Sequence, residues 1–526
     1  MFRFLDKERT IAGPTYNRWL VPPAALAIHL SIGMAYGFSV FWKPLGELDP
    51  TWTQTKVTIT FTLFFVLLGS SAAIFGSWLE RNGPRKTGVV AALCWGGGFF
   101  IAALGIRYRI LPLIWLGSGV IGGCGLGLGY ISPVSTLIRW FPDRRGMATG
   151  MAIMGFGGGA LIGMPLAEKL MKHCASSSAT GGVLEAFIAL GFIYLAAMLC
   201  GSFLYRVPAP GWKPHGWTPP DAAKSEMITH RHVHLRNAHK TPQFWLLWGV
   251  LCLNVSAGIG VLAVAAPMLQ DVFGSKLLGP NVSISSMSTE ELNLLLIPFG
   301  VGFGGLLSLF NIFGRIFWAS LSDKLGRKWT YHIFFFVGII LYLVAAQAAL
   351  HKNVALFVSM FCAILTMYGG GFATIPAYIA DLFGTQFVGA IHGRILTAWS
   401  VAAIIGPSLI NLVRDHQLKQ GVANDAAYNV TLYFLAGLLL LGFICNFLIR
   451  PISKKHFMSD EELAIERNRG HEQMKNNSNI ETAHGKHTRP SALSWVEVVI
   501  SWALVGIPLG WGIYMTVLKA SKFFVR

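Results

Sequence analysis

Two side chains stand where neither is easily tolerated. Arg315 lies within "SLFNIFGRIFWASLSDKLGRKW" (308–329), inside an apolar stretch and eight residues before Asp323, where the charged turn begins. Eight helical residues span about 12 Å, which buries the guanidinium well inside a hydrocarbon layer about 30 Å thick. An arginine at that depth costs about 2.5–3.5 kcal/mol on insertion scales. Its planar fork holds a carboxylate through two parallel hydrogen bonds, so the chemistry on offer is anion capture. The alternatives are a pair with a buried acid, or snorkelling to an interface. Glu47, Asp49, Glu80, Asp323 and Asp381 all fall near the ends of apolar runs, which leaves no acid at Arg315's depth. An intramembrane arginine is by default a site hypothesis. His29, in the middle of the first apolar run, titrates near neutral pH and is a candidate for a coupling proton; the plainer role is a hydrogen-bonded core histidine.

The elements that must position these residues follow from composition. The chain has 526 residues, 53% hydrophobic and 13% charged, with a mean hydropathy of +0.54. Soluble domains carry about 25% charged residues. Apolar runs long enough to span a bilayer fall near 19–43, 56–79, 87–106, 110–138, 146–168, 183–205, 243–270, 292–320, 329–350, 353–380, 389–413 and 427–449. The fold class is therefore an all-α, polytopic membrane bundle. The net charge of +18 could suggest nucleic acid, but Lys and Arg collect on the side that holds the N-terminus, and positive-inside topology accounts for them. The first apolar run is too long for a cleaved signal. Six of the seven cysteines fall in spans, with only Cys174 in a loop, and no disulfide framework is expected.

The polar interval 207–241 divides the spans six and six, and the halves align at a fixed shift of 243 residues. Glu80 and Gly83 map to Asp323 and Gly326, Pro133 to Pro376, Gly146 to Gly389, Gly150 to Gly393, and Gly163 to Gly406. Two parallel six-helix repeats place a binding site near the midplane between them. At the same shift Arg315 answers to Ala72, so the repeat itself does not demand the charge. "GSWLERNGPRK" (76–86) and "ASLSDKLGRK" (319–328) resemble the paired loop signature of the major facilitator superfamily, with Glu80 for Asp, Pro84 interrupting the first copy and Ala319 for Gly. The resemblance covers nearly all of 15–450. It implies a gating role for Glu80, Arg81, Arg85, Asp323, Lys324 and Arg327, whose basic members otherwise read as topology alone.

"RWFPDRRGMATG" (139–150), "GFATIPAYIADLFG" (371–384) and "FGRIFWASLSDKLGR" further resemble the oxalate/formate antiporter family. That likeness implies that Arg315 holds the substrate carboxylate and that Tyr36 and Tyr130 wall the chamber, with Tyr368 and Tyr378 as further partners. Where the family has a second cation, a lysine in the eleventh helix, this chain has Trp399 in "HGRILTAWSVAAIIGP" (392–407). One fixed charge balances a monoanion better than a dianion. Asn254 is a weaker polar candidate, and His392 and Arg394 could draw anions to the inner mouth or merely solvate a helix end.

Other chemistries fail their context tests. "GMAIMGFGGGALIGMP" (150–165) and "GSGVIGGCGLGLGY" (117–130) contain GxGxxG-like fragments with no preceding strand, so they read as helix-packing surfaces. His230, His232 and His234 alternate in "THRHVHLRNAH" without cysteine or carboxylate partners, and the expected reading is a solvated basic loop rather than a metal site. No nucleophile–base pair or phosphate loop is found, so no enzyme activity and no cofactor are expected. After the twelfth span, "SDEELAIERN" should form a short helix capped by Ser459, and 451–493 should be largely disordered. The run 495–518 supplies a thirteenth span, resembling a single-span subunit that accompanies some carboxylate transporters, here fused.

The expected organisation is an N-terminal half (1–206), a cytoplasmic linker (207–242), a C-terminal half (243–450), a polar segment (451–493) and an added helix (494–526). The expected function is secondary transport of small organic carboxylates by alternating access, favouring monocarboxylates. The alternatives are a proton-coupled monocarboxylate symporter and a non-transporting membrane carboxylate sensor. The expected partners are a small organic anion and the lipid bilayer, with no nucleic acid. The chain is expected to work as a monomer in the plasma (inner) membrane, with its N-terminus cytoplasmic.

Overall fold

A computed structural model describes residues 3–13, 15–209, 212–218, 227–278, 289–423, 426–466 and 492–521. Thirteen of its helices are long and apolar enough to cross a membrane. The first six are α1 (Arg18–Gly46), α2 (Gln54–Asn82), α3 (Pro84–Arg107), α4 (Leu111–Trp140), α5 (Arg145–Cys174) and α6 (Val183–Leu204). The second six are α7 (Pro242–Leu278), α8 (Thr289–Leu325), α9 (Arg327–Leu350), α10 (Val354–Phe383), α11 (Val388–Lys419) and α12 (Asn429–Leu448). The last is α13 (Ala492–Ser521).

Two helix pairs, α2 with α11 and α5 with α8, form the seam between the halves. Small residues make it close. A Cβ on Gly150 of α5 would lie 2.7 Å from the Arg315 carbonyl of α8, while one on Gly393 of α11 would collide with the Ala72 carbonyl of α2. These are repeat-related contacts, since Gly150 maps to Gly393 and Ala72 to Arg315. Lipid does not drive apolar helices together, so such close backbone packing is what holds the seam.

The charged loops use the same symmetry. Gly83 and Gly326 break α2 from α3 and α8 from α9 at φ of 86° and 85°, a backbone region that favours glycine. Just before each break an acid reaches across the seam to a helix N-terminus. Glu80 Oε1 accepts from Gly389 N at 3.0 Å. Asp323 accepts from Gly146 N at 2.8 Å and from Met147 N at 3.0 Å. A carboxylate on the free N–H groups of a helix start gains both hydrogen bonding and the helix dipole. We call this face of the bundle the basic end. Over it, Lys7 Nζ donates to the Glu80 carbonyl at 2.9 Å; burial, with Arg139 adding to it against the pull of Glu80, brings the Lys7 pKa down to about 8.

The histidine segment departs from the expected solvated loop. Thr229 N bonds the Asp381 carbonyl at 2.8 Å, Val233 N the Phe383 carbonyl at 2.9 Å, and Met458 N the His232 carbonyl at 2.9 Å. The alternation that suggested metal ligands instead turns Val233 inward, where it is buried. The segment is a strap over the ends of α10 and α11, and no group of metal-ligating side chains forms among the described residues. The cap at Ser459 is present as a reciprocal pair, Glu462 N to Ser459 Oγ at 3.1 Å and Ser459 N to Glu462 Oε2 at 3.0 Å. The expected disorder over 467–491 lies outside the described residues.

α13 lies against α5, α8 and α1, across the seam. Trp502 Nε1 donates to the Trp19 carbonyl near the basic end at 3.3 Å. Further along, Leu509 packs at Gly158 of α5 and Thr516 at Gly305 of α8. Gly512 sits so close to α5 that a Cβ would lie 2.8 Å from the Leu161 carbonyl.

Two expected outcomes follow. Gly512→Leu should destabilise the docked helix by about 1–3 kcal/mol, as overpacking does, read as a lower melting temperature in detergent. Gly510→Leu, where a Cβ meets nothing within 4 Å, is the control and should leave melting unchanged. In the double variant Glu80→Gln/Asp323→Asn, three charge-assisted bonds across the seam weaken. Labelling of a Thr149→Cys probe by a water-soluble thiol reagent should then rise about tenfold, and an unchanged labelling rate would contradict a latch at this end.

Candidate functional site

Arg315 is wholly buried. Its place is made by glycines on both sides: a Cβ on Gly157 of α5 would lie 3.2 Å from Nε, and one on Gly369 of α10 would lie 3.1 Å from Cγ. Nε donates to Asn311 Oδ1, one turn back on α8, at 2.9 Å. Nη1 donates to the Ile153 carbonyl of α5 at 2.8 Å. The guanidinium carbon lies 5.8 Å from the Phe156 ring centroid and 5.6 Å from that of Phe372, within cation–π range.

Nη2 is buried with no hydrogen-bond partner. Among the described residues no carboxylate pairs with this guanidinium. It is neither salt-bridged nor turned to an interface. Unmet charged donors away from water are expensive, and the chemistry they call for is an anion.

An aromatic box surrounds them. Trp399 packs on Phe372 at 4.2 Å between centroids, on Phe156 at 5.3 Å, and on Phe65 and Tyr130 at 5.4 Å each. Its Nε1 and the Tyr130 hydroxyl are both buried without partners. Tyr36 of α1 meets Tyr368 of α10 hydroxyl to hydroxyl at 3.2 Å, joining the halves on the side away from the basic end. Tyr36 also interacts with the guanidinium. Arg315, Tyr36, Tyr130, Tyr368 and Trp399 therefore come together from α8, α1, α4, α10 and α11.

Tyr378 does not join them. Its hydroxyl reaches Asn446 Oδ1 of α12 at 3.5 Å and its ring lies 6.0 Å from Tyr331, inside the C-terminal half. From Tyr368 it is ten residues along α10, nearly three turns toward the basic end, which places it beyond the box. Asn254 lines a narrow cleft of the same half with Gly258, Tyr342 and Tyr368, sharing only Tyr368 with the box. His29 is buried between two carbonyls, with Nδ1 2.5 Å from Ala152 O and Nε2 3.2 Å from Tyr130 O. A neutral imidazole has one N–H and satisfies one carbonyl; an imidazolium satisfies both.

The residues expected to gate divide in two. Glu80 and Asp323 cross the seam, as described. Glu80 also binds Arg139, and Arg327 binds both Asp323, at 2.6 Å, and Asp381, at 3.1 Å. Arg145 of the other half reaches the same Asp381 at 2.9 Å, so an acid on α10 joins cations of both halves. Arg85 instead donates to the Phe4 and Tyr205 carbonyls within its own half. Arg81 bonds the Ser77 carbonyl of its own helix, and Lys324 is exposed. The loop signature does not distinguish these roles, because all six residues sit at helix ends.

Sequence reading gave no role to Asn311, Phe156, Phe372, Arg139 or Arg145, and weighed Asp381 only as too far from Arg315 in depth. Asn311 was within reach, since it stands four residues before Arg315 and shares its helix face. Phe156 and Phe372 carry no signal apart from a helical face of small residues around them.

The chain matches the family model of the Major Facilitator Superfamily over residues 17–407 and again over 282–524. It is 26% identical to the oxalate:formate antiporter of Oxalobacter formigenes, over 85% of this chain and 96% of the relative. It is 24% identical to monocarboxylate transporter 4 of Rattus norvegicus, over 71% and 73%, and 26% identical to apicoplast pyruvate carrier 1 of Toxoplasma gondii, over 60% and 61%. Among solved structures, a proton:xylose symporter aligns with a TM-score of 0.58 at 16% identity, covering 85% of this chain and 98% of the symporter. A bacterial homologue of the iron transporter ferroportin, in an outward-facing state, aligns at 0.56 and 14%, covering 82% and 98%. At those identities the structural likeness speaks for the fold alone. Twelve helices in two six-helix repeats, one further helix and the family match agree: the chain is an integral multi-pass membrane transporter of the Major Facilitator Superfamily.

Proposed function

We propose that this transporter carries small organic carboxylates, monocarboxylates above all, by alternating access, with the basic end facing the cytoplasm of the cell's plasma membrane. The supporting observation is the buried guanidinium of Arg315, whose Nη2 has no partner and which has no acid beside it among the described residues. A carboxylate supplies both the missing acceptors and the missing charge. Trp399 stands where the antiporter family has its second cation, so the chamber offers one fixed positive charge to one negative one. The relatives named for oxalate and formate, for pyruvate and for monocarboxylates lend support to this substrate class. Tyr36 meets Tyr368 on one side of Arg315 and the acid latches are formed on the other, contacts that an alternating-access cycle would break in turn. With no acid at the depth of Arg315 in the apolar runs to carry a coupling proton, exchange of one carboxylate for another is the first mode to test.

Proton symport is a second reading, favoured by His29. Its two carbonyl neighbours are both satisfied only by the protonated ring. Uptake that needs a pH gradient and no counter-anion selects symport; uptake that needs a counter-anion selects exchange. The sensor reading separates from both on removal of 451–526, after which a transporter still moves substrate.

Arg315→Ala removes two charge-assisted bonds to substrate, each about 1.5–3 kcal/mol. In proteoliposomes loaded with pyruvate or formate it should lower uptake at least about 100-fold with expression intact. Arg315→Lys should keep a small remnant, because it keeps the charge and loses the fork. Normal uptake by Arg315→Ala overturns the proposal.

A further inference from the structure

Between the Arg315 chamber and the Glu80–Gly389 latch lies a polar group that nothing so far employs. His392 stands on α11 three residues after Gly389 and seven before Trp399, which places it about 10 Å from the tryptophan toward the basic end. It is 1% exposed. Neither ring nitrogen has a hydrogen-bond partner. A buried imidazole with both nitrogens unmet loses about 1–3 kcal/mol relative to an apolar side chain of similar shape, and buried polar groups left in that condition call for an explanation. Its ring lies 6.0 Å from that of Tyr130, across the seam on α4, whose hydroxyl is equally unmet. Two orphaned polar side chains, one from each half, thus meet at the same seam, Tyr130 at the edge of the chamber and His392 on its basic-end side.

The charges around His392 are engaged elsewhere. From α2, Glu80 holds Arg139 and Gly389 N. From α10, Asp381 holds Arg145 and Arg327. On α11 itself, Arg394 donates to the Leu235 carbonyl. The adjoining turn carries Arg236, which is exposed. The part of α7 from Pro242 to Leu262 has no charged residue. His29 of α1 is the titratable group near enough to act on His392 electrostatically. Among the described residues no carboxylate pairs with it.

We infer that His392 and the Tyr130 hydroxyl form a second subsite for the transported monocarboxylate, on the basic-end side of Arg315, which is built when the latch opens. This rests on the carboxylate reading of Arg315. Opening that end admits water, and then a carboxylate, between the two side chains, whose rings lie 6.0 Å apart in the closed seam. A wet histidine takes up a proton near neutral pH. The protonated ring then offers its charge and one N–H to the carboxylate leaving Arg315, with the Tyr130 hydroxyl as a second donor. When the cycle returns empty, the proton must leave before the seam closes, because sealing an imidazolium with no anion beside it is costly. When it returns loaded, the carboxylate offsets part of the positive charge sealed in, so the cost is smaller. Acid on this side therefore slows empty return more than loaded return, which biases the protein toward exchange.

The test uses the full chain in sidedness-controlled proteoliposomes with labelled pyruvate. In the wild type, net efflux should fall at least threefold, relative to exchange, when the basic-end compartment goes from pH 8 to pH 6. His392→Gln, which keeps a donor but cannot hold a proton, should remove that difference. It should also raise KM for pyruvate at the basic end about fivefold, without an equal rise at the other face. His392→Phe, which keeps the ring's shape, should act in the same direction and more strongly. Survival of the pH difference in His392→Gln, or an equal rise of KM at both faces, overturns the subsite. A second arm needs no transport. With the seven native cysteines replaced by serine, His392→Cys should label from the basic end in the Glu80→Gln/Asp323→Asn background, and pyruvate should slow the labelling. Absence of labelling there overturns the placement. Failure of the Arg315 reading looks different: Arg315→Ala would then carry pyruvate, whatever the His392 variants do.

Discussion

A guanidinium sealed in an apolar bundle without a counter-charge is the constraint around which this molecule is arranged. Leaving it alone is costly, so the surroundings do what neutral groups can. Asn311 and Phe372 of the C-terminal half serve it from one side; the Ile153 carbonyl and Phe156 of the N-terminal half serve it from the other. Because its support is divided between the halves, any movement that parts them removes part of it. The unmet Nη2 is what remains after the protein has supplied its own donors' partners, and in the proposed function an arriving carboxylate completes the set. The site is thereby coupled to the seam by its own electrostatics.

The seam is built to part and re-form at low cost. Its long contacts are backbone against glycine, which slide without side chains to disentangle. Its directional contacts concentrate at the basic end, where the two repeat-related acids, Glu80 and Asp323, each seat on the N-terminus of the opposite half. The internal repeat thus yields two equivalent latches. That reciprocity does not extend to Arg315, which answers to Ala72, and in the proposed function this asymmetry makes the site. α13 spans the α5–α8 pair of the seam on its outer side and lies beside the helix that carries the arginine.

Much of this was legible in the sequence, for identifiable reasons. Helix number followed from the length of apolar runs, because the bilayer imposes a minimum span. The repeat followed from glycines, a proline and an acid at one offset. Arg315 was conspicuous because charge is rare in such runs. Less legible were pairings made by distant residues: Arg145 with Asp381, Glu80 with Gly389 N, and the rings of Phe156 and Phe372 on the guanidinium. Nothing local distinguishes a phenylalanine that faces a cation from one that faces lipid. The motif likewise marked six polar residues where three, Glu80, Asp323 and Arg327, tie the basic end, because helix-end position alone does not say which side chain points across the seam. The histidine strap was misread since alternating polar residues suit both a wet loop and a strand-like segment with apolar residues turned inward.

Binding in the absence of any gradient tests the central claim most directly. Purified full-length chain, titrated with pyruvate, formate and oxalate while its melting temperature is followed, should be stabilised by the monocarboxylates and less by oxalate, and the shift should vanish in Arg315→Ala. An equal shift in Arg315→Ala, or a larger one with oxalate than with the monocarboxylates, would contradict a chamber built around a single uncompensated positive charge.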